Sequence, residues 1–345
     1  MGIGATILMI VFFPLNFFLM LGQGINSENQ VQARENKDST SIEGLVQGAE
    51  TQKNEPKKIK AQAVDNPEYE PVKLATATNL TVPSAHAFVI IDADSGKILA
   101  GNHSSDQRQI ASLTKMMTAG LAMDKIKDLD EPVNIDDEEV YIEGTRIGCP
   151  RSGYCISQRL KTGEKISAKS LLQAMLMNSA NDAATALGKH MAGTATAFAD
   201  VMNERVKQMD LQNTHFCTPS GLDLDDDVAA AGCYSSAYDI ARIAAYDLRY
   251  DLIWKIFKMP NNSTITSIDG KTTHTILNTD LVLNQIPNII GGKTGFTPLA
   301  GYSLLMAVSD PTGKHRIVAV VLDDSNRWSD IKTMIDWTFK SYTWK

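Results

Sequence analysis

The chain has 345 residues, of which 43% are hydrophobic, and a formal net charge of −7. This size is sufficient for one large domain with additional segments. The negative charge argues against a nucleic acid as partner, because nucleic-acid-binding surfaces are positively charged.

An apolar segment comes first in the chain. Residues 1–27 carry no charged side chain, and residues 3–21 are almost entirely apolar. This run is close to the roughly 20 residues that a helix needs to span a bilayer, whereas a secretory signal has an apolar core of about 7–15 residues and a basic flank. We predict an uncleaved membrane anchor over residues 1–24, with cleavage after Gly24 as the alternative. Both place the rest of the chain outside the cytoplasm, in the cell envelope.

A polar segment follows over residues 25–80, with Tyr69 as its only aromatic residue. Such a composition buries too little apolar surface to order itself. We predict a flexible stalk, and a segment that folds on a partner is the alternative. The folded domain is expected over residues 81–345.

Strand patterns occur at both ends of this domain, at residues 87–92 and 97–100 and again at 302–308 and 316–322. Helical patterns dominate from 112 to 245, and the pattern of residues 330–342 predicts a closing amphipathic helix. Strands around a helical middle predict an α+β domain.

The first chemical motif is Ser112-Leu-Thr-Lys115, in a segment predicted to be helical from 112 to 123. Residues three apart share a helix face, so Ser112 and Lys115 can touch. A serine hydroxyl needs a base to become a good nucleophile, and a lysine kept neutral by burial can serve. The alternative is a capped helix with a surface lysine.

Two further motifs follow. Ser179-Ala-Asn181 forms a short polar group within an apolar stretch; its alternative interpretation is a helix cap at Ser179. Lys293-Thr294-Gly295 follows two glycines, which allow a ligand backbone to approach a strand. Its alternative is a loop lysine.

With these three motifs in this order, the chain resembles the penicillin-recognising serine acyl-transferases, and more narrowly the D-alanyl-D-alanine carboxypeptidases. The resemblance covers about residues 84–345. Other matching stretches are residues 110–119, 177–184, 219–223, 236–241 and 291–296. It implies a β-lactamase/penicillin-binding transpeptidase-like fold, with an antiparallel sheet flanked by helices, a mostly helical subdomain and the site in the cleft between them.

The resemblance also implies residue roles. Ser112 would be the nucleophile and Lys115 its base, and Asn181 would hold Lys115 and the substrate. Ser179 and Lys293 would pass a proton to the departing D-alanine.

Substrate binding is assigned by the same resemblance to Lys293, Thr294, Gly295 and Phe296. Lys293 and Thr294 would bind the terminal carboxylate, and the N–H groups of Ser112 and Phe296 would form the oxyanion hole. Arg327 is a weaker candidate for carboxylate recognition, with an exposed arginine at a helix start as the alternative.

The implied partners are the D-Ala-D-Ala end of a peptidoglycan stem peptide, β-lactam antibiotics as inhibitors, and a membrane through the N-terminal segment. No cofactor, metal or nucleic acid is expected. A D,D-endopeptidase would use the same residues. A class A β-lactamase would need a Glu-x-x-Leu-Asn pattern between Asn181 and Lys293, which is missing. A protein that only binds stem peptides would be expected to lack a catalytic residue.

The four cysteines suggest disulfides in an exported protein, and four cysteines allow three connectivities. Proximity in the sequence favours Cys149–Cys155 and Cys217–Cys233.

Overall fold

A five-stranded antiparallel sheet organises the residues that the computed structural model describes, 57–151, 153–224 and 231–345. The strands of the described residues, in the central sheet and in smaller two-stranded sheets, are β1 (Pro71–Lys73), β2 (Ala85–Asp92), β3 (Ile98–Asn102), β4 (Pro132–Asn134), β5 (Lys165–Ser167), β6 (Ser263–Thr266), β7 (Thr273–Ile276), β8 (Ile289–Thr297), β9 (Gly301–Ser309), β10 (Arg316–Asp324) and β11 (Tyr342–Trp344). The central sheet has the order β3-β2-β10-β9-β8. The strand predictions at both ends of the domain are therefore confirmed.

Helices cover both faces of this sheet. They are α1 (Lys115–Lys125), α2 (Asp137–Tyr141), α3 (Ala168–Met177), α4 (Asn181–Ala192), α5 (Ala195–Gln208), α6 (Ala237–Asp247), α7 (Asp251–Phe257) and α8 (Arg327–Ser341). Side chains of β9 alternate between two cores, since Leu304 and Met306 pack towards α8 whereas Leu305 and Ala307 pack towards the helical body. Because the two faces are both buried, the inner strands are apolar in their central parts. The α+β prediction is confirmed.

The stalk prediction is wrong over residues 57–80. Ala61 and Ala63 are buried, and β1 pairs antiparallel with β11 near the other end of the chain. Pairing between backbone groups leaves little trace in composition, which is why the polar sequence was misleading. The predicted anchor over 1–24 and the rest of the stalk lie outside the described residues. Among the residues that are described, no helix is both long enough and apolar enough to cross a bilayer.

Both predicted disulfides are present, Cys149–Cys155 and Cys217–Cys233. Cys217 and Cys233 line a pocket together with Ala111 and Thr114, which lie on either side of Ser112 in the sequence.

Candidate active site

Ser112 lies in a 3-10 turn, Ala111–Thr114, immediately before α1. The prediction of one helix from 112 to 123 is therefore corrected at its start. Ala111 has a φ of 48°, a left-handed conformation that non-glycine residues seldom adopt. Strand β8 approaches this turn closely, since a Cβ atom on Gly295 would lie 2.9 Å from the Ile110 carbonyl oxygen.

Lys115 is fully buried and its ammonium group has three partners. Its Nζ atom lies 2.8 Å from Ser112 Oγ, 2.8 Å from Asn181 Oδ1 and 2.7 Å from the Ser220 carbonyl oxygen. The predicted contact between Ser112 and Lys115 is therefore formed, and the surface-lysine alternative is wrong.

These partners determine what a neutral Lys115 can do. A neutral amine has two N–H groups and one lone pair, and the oxygens of Asn181 and Ser220 can only accept hydrogen bonds. The lone pair is then left for the hydroxyl of Ser112. Burial lowers the pKa of Lys115 well below its ordinary value, and the charge of Lys293 lowers this pKa further. The amine is thus both oriented and electrostatically prepared to accept the serine proton.

Ser179 and Asn181 lie at the junction of α3 and α4. Ser179 has a φ of 56°, and Ala180, not Ser179, is the N-cap residue of α4. Asn181 is fixed by the chain opposite, because its backbone N–H donates to the Thr145 carbonyl at 2.8 Å and its Nδ2 donates to the Glu143 carbonyl at 2.9 Å. Its Oδ1 atom is thereby directed at Lys115.

Lys293, on β8, is also fully buried. Its Nζ atom donates to Ser179 Oγ at 2.9 Å and to the Thr294 carbonyl at 2.8 Å. Burial, and next the charge of Arg327, lower its pKa to about 7. The structure thus brings all five predicted catalytic residues into one connected group, and the loop-lysine alternative for Lys293 is wrong.

The predicted substrate-binding residues lie along β8, which is an edge strand of the sheet. The hydroxyls of Thr294 and Thr279 lie 2.8 Å apart. Phe296 is half exposed, and its ring stacks on Tyr302 with centroids 4.5 Å apart. An edge strand offers unpaired backbone groups to an extended ligand.

Three features of the site were missed by the sequence reasoning. Ser220 supplies a carbonyl to Lys115, and the preceding carbonyl, of Pro219, accepts a hydrogen bond from the Thr118 hydroxyl at 2.7 Å. Asp182 is buried, and its carboxylate accepts from the Ile147 N–H at 2.9 Å; burial raises its pKa to about 7. The stretch 219–223 matches the family, but main-chain acceptors have no sequence signature of their own.

Arg327 contacts main-chain carbonyl groups of β8 and β9. Its Nη1 atom donates to the carbonyls of Gly295 at 2.8 Å and Ser303 at 3.0 Å. The interpretation as an exposed arginine is wrong, since the side chain is half-buried.

One acidic cluster among the described residues has the spacing of a metal site, Asp136, Glu138 and Glu139. The ammonium of Lys189 lies 2.7–2.9 Å from carboxylate oxygens of all three. The cluster therefore acts as an ion-pair network with this lysine.

Comparison with known proteins identifies the family. The family model for D-alanyl-D-alanine carboxypeptidases matches residues 74–326. The chain belongs to this family. It is 31% identical over 266 residues to D-alanyl-D-alanine carboxypeptidase DacF of Bacillus subtilis, across 75% of this chain and 63% of the relative. The chain spans about six tenths of the length of the first curated relatives it matches.

Solved structures agree. A D-alanyl-D-alanine carboxypeptidase from Mycobacterium tuberculosis superposes with a TM-score of 0.67 at 28% identity, over 78% of this chain and 96% of that one. Penicillin-binding protein D2 from Listeria monocytogenes, solved in an ampicillin-bound form, gives a TM-score of 0.62 at 27% identity, over 76% and 99%. The penicillin-binding fold expected from the resemblance is confirmed.

Proposed function

We propose that the protein is a serine-type D-Ala-D-Ala carboxypeptidase that removes the terminal D-alanine from peptidoglycan stem pentapeptides through an acyl-enzyme on Ser112. One observation carries the proposal. The amine of Lys115 lies 2.8 Å from Ser112 Oγ while both of its other partners are obligate acceptors. This arrangement leaves the lone pair of Lys115 to accept the proton of Ser112, which activates the serine as a nucleophile.

Acylation would begin with attack of Ser112 Oγ on the carbonyl carbon of the penultimate D-alanine. Lys115 takes the hydroxyl proton as the Oγ–C bond forms, and the carbonyl oxygen becomes an oxyanion. Backbone N–H groups beside the nucleophile would stabilise this charge, each contributing about 3–4 kcal/mol in the transition state.

Collapse of the tetrahedral intermediate breaks the peptide bond and needs a proton on the departing amine. Ser179 Oγ can give its own proton and recover one from Lys293, which donates to it at 2.9 Å. A Lys293 pKa of about 7 suits this role, because proton transfer is most efficient when donor pKa and working pH are close. Water then hydrolyses the ester to release the shortened peptide.

β-Lactams are proposed to acylate Ser112 in the same way and to leave slowly, which is supported by the ampicillin-bound form of the Listeria relative. The test is intact-mass spectrometry of the full-length chain with penicillin, together with assays of D-alanine release. A stable adduct on Ser112 and D-alanine release from an acyl-D-Ala-D-Ala peptide would support the proposal.

The same assay separates the alternatives. Rapid penicillin turnover without a lasting adduct would indicate a β-lactamase. Faster cleavage of a cross-linked muropeptide than of a pentapeptide would indicate an endopeptidase. A folded chain with neither adduct nor product would contradict all three and leave a binding protein.

We also propose that the domain works outside the cytoplasm, tethered to the membrane by residues 1–24. The apolar run and the two disulfides support this, since disulfides persist in oxidising compartments. Fractionation of cells with a C-terminal tag is the test. Recovery in the medium would indicate cleavage, and recovery in the cytosol would contradict the proposal.

A further inference from the structure

The two carbonyl contacts of Arg327 fix the direction of one peptide group. Gly295 and Ser303 are directly opposed in the ladder between β8 and β9. One nitrogen reaches both carbonyl oxygens, at 2.8 and 3.0 Å. This is possible only if both oxygens face the gap between the strands, because oxygens on the outer sides of the pair would lie too far apart.

The N–H on the other side of that peptide group therefore points away from the neighbouring strand. In a trans peptide the carbonyl and the N–H point in opposite directions, and no described peptide is cis. The Phe296 N–H thus points away from β9, across the open edge of the sheet. The neighbouring Thr294 carbonyl also faces this edge, since it accepts a hydrogen bond from Lys293 Nζ there.

The guanidinium itself lies on the opposite face of the sheet from Ser112. It lies 5.0 Å from the ring centroid of Tyr302 and 4.8 Å from that of Trp328. Tyr302 shares the alternation of Leu304, which packs in the core beside α8. Arg327 thus contacts the Gly295–Phe296 peptide from behind.

We infer that Arg327 is a positioning residue for the oxyanion hole, acting through the carbonyl of the peptide group whose N–H would meet the oxyanion. This rests on the proposed function. A cation on the carbonyl holds the peptide plane in one orientation and draws electron density from the N–H, and linked hydrogen bonds strengthen one another by about 10–30%. Preorganised donors need no rearrangement as the negative charge develops.

Substitutions at Arg327 test this with three reagents. Acyl-D-Ala-D-Ala carries a terminal carboxylate, acyl-D-alanine methyl ester does not, and an N-acyl boroalanine forms a tetrahedral adduct that occupies the oxyanion hole. We expect Arg327→Met to lower the acylation rate of both substrates about tenfold, with KM little changed. This is less than the roughly 10²–10³-fold cost of removing a whole donor. Boronate affinity should fall by the same factor.

Arg327→Lys keeps the charge and should restore part of each loss, and it replaces the Met variant if that fails to fold. Arg316→Met is the matched control, since Arg316 is a half-buried arginine at the far end of β10 that pairs with Asp94. It should leave all three readouts at wild-type values.

Other outcomes overturn the inference. A loss confined to KM for acyl-D-Ala-D-Ala would make Arg327 a carboxylate ligand. Wild-type acylation rates in Arg327→Met, or a rate loss without a matching loss of boronate affinity, would remove the link to the oxyanion. Failure of the wild-type chain to be acylated would instead contradict the proposed function.

Discussion

Lys293 Nζ lies 2.9 Å from Ser179 Oγ, although the two residues are 114 positions apart in the chain. This contact joins the edge of the sheet to the helical body. On the helical side, Ser179 is followed by Asn181, which accepts from Lys115. The proposed proton donor and proton acceptor are therefore connected through one short turn.

Replacing Lys115 by methionine tests the base. Methionine preserves most of the buried volume, whereas loss of the amine leaves Ser112 without an acceptor for its proton. We expect the penicillin acylation rate to fall by about 10²–10⁴-fold, the usual contribution of acid–base catalysis. Stopped-flow or quenched mass spectrometry measures this rate.

Lys189→Met is the control for that variant. It also removes a lysine that is held by polar partners, but this lysine pairs with Asp136 in the acidic cluster. Its acylation rate should stay near that of the wild type. Equal losses in the two variants, or a Lys115 variant as fast as the wild type, would contradict the role of Lys115.

The acylation rate should depend on pH in a bell shape. Lys115 must be neutral, so the rate falls as pH drops through its lowered pKa. Lys293 must be protonated, so the rate also falls as pH rises through about 7. Because the two lysines interact, the pKa values read from the acid and alkaline limbs of the pH profile are macroscopic values that belong to the pair. The profile of the second-order acylation rate against pH measures both limbs.

Lys293→Arg assigns the alkaline limb. Arginine stays charged throughout the accessible range, so the descending limb should move to higher pH while the acid limb persists. A limb that stays near pH 7 in this variant belongs to some other group.

The two disulfides should contribute unequally to stability. Cys217–Cys233 has a sequence separation of 16 and Cys149–Cys155 of 6. The loop-entropy relation gives about 3 and about 2 kcal/mol for loops of these sizes. Guanidinium unfolding of the two paired Cys→Ala variants measures the losses.

Loss of Cys217–Cys233 should also slow acylation, because this bond restrains the stretch whose Ser220 carbonyl orients Lys115. Dithiothreitol reduces both bonds of the wild type, so the treated protein should lose about the sum of the two variants' losses, about 5 kcal/mol. If both variants unfold like the wild type, the bridges do not contribute as predicted.

Gly221→Ala tests the close approach of Gly221 to the turn that holds Ser112. Gly221 has a φ of +74°, and a Cβ atom there would lie 2.0 Å from the Ala111 carbonyl oxygen. The turn holding Ser112 would have to shift, and we expect at least a tenfold loss of acylation together with a lower melting temperature.

Gly313→Ala separates the effect of a steric clash from the effect of the left-handed backbone conformation. Gly313 has a φ of +75° but no neighbour within 4 Å of the added Cβ. It should lose about 1 kcal/mol of stability from the left-handed conformation and keep its acylation rate. Equal rates in the two variants would refute the proposed contact.

The chemical groups, the strands at both ends of the domain and the favoured disulfide pairing could be predicted from the sequence. These depend on short-range patterns: the Ser112–Lys115 spacing, the alternation of apolar residues in strands, and the closeness of Cys149 to Cys155. Each pattern depends on the backbone geometry of a few consecutive residues, so it can be recognised without knowledge of the rest of the fold.

Which groups act on each other is determined by the packed fold. Three of its features depend on backbone atoms that every residue possesses. They are the hydrogen bond from Lys115 to the Ser220 carbonyl, the pairing of β1 with β11, and the direction of the Phe296 N–H. The lowered pKa values of Lys115 and Lys293 likewise depend on burial. Burial and main-chain contacts are properties of the packed chain, so residue identity alone could not specify them.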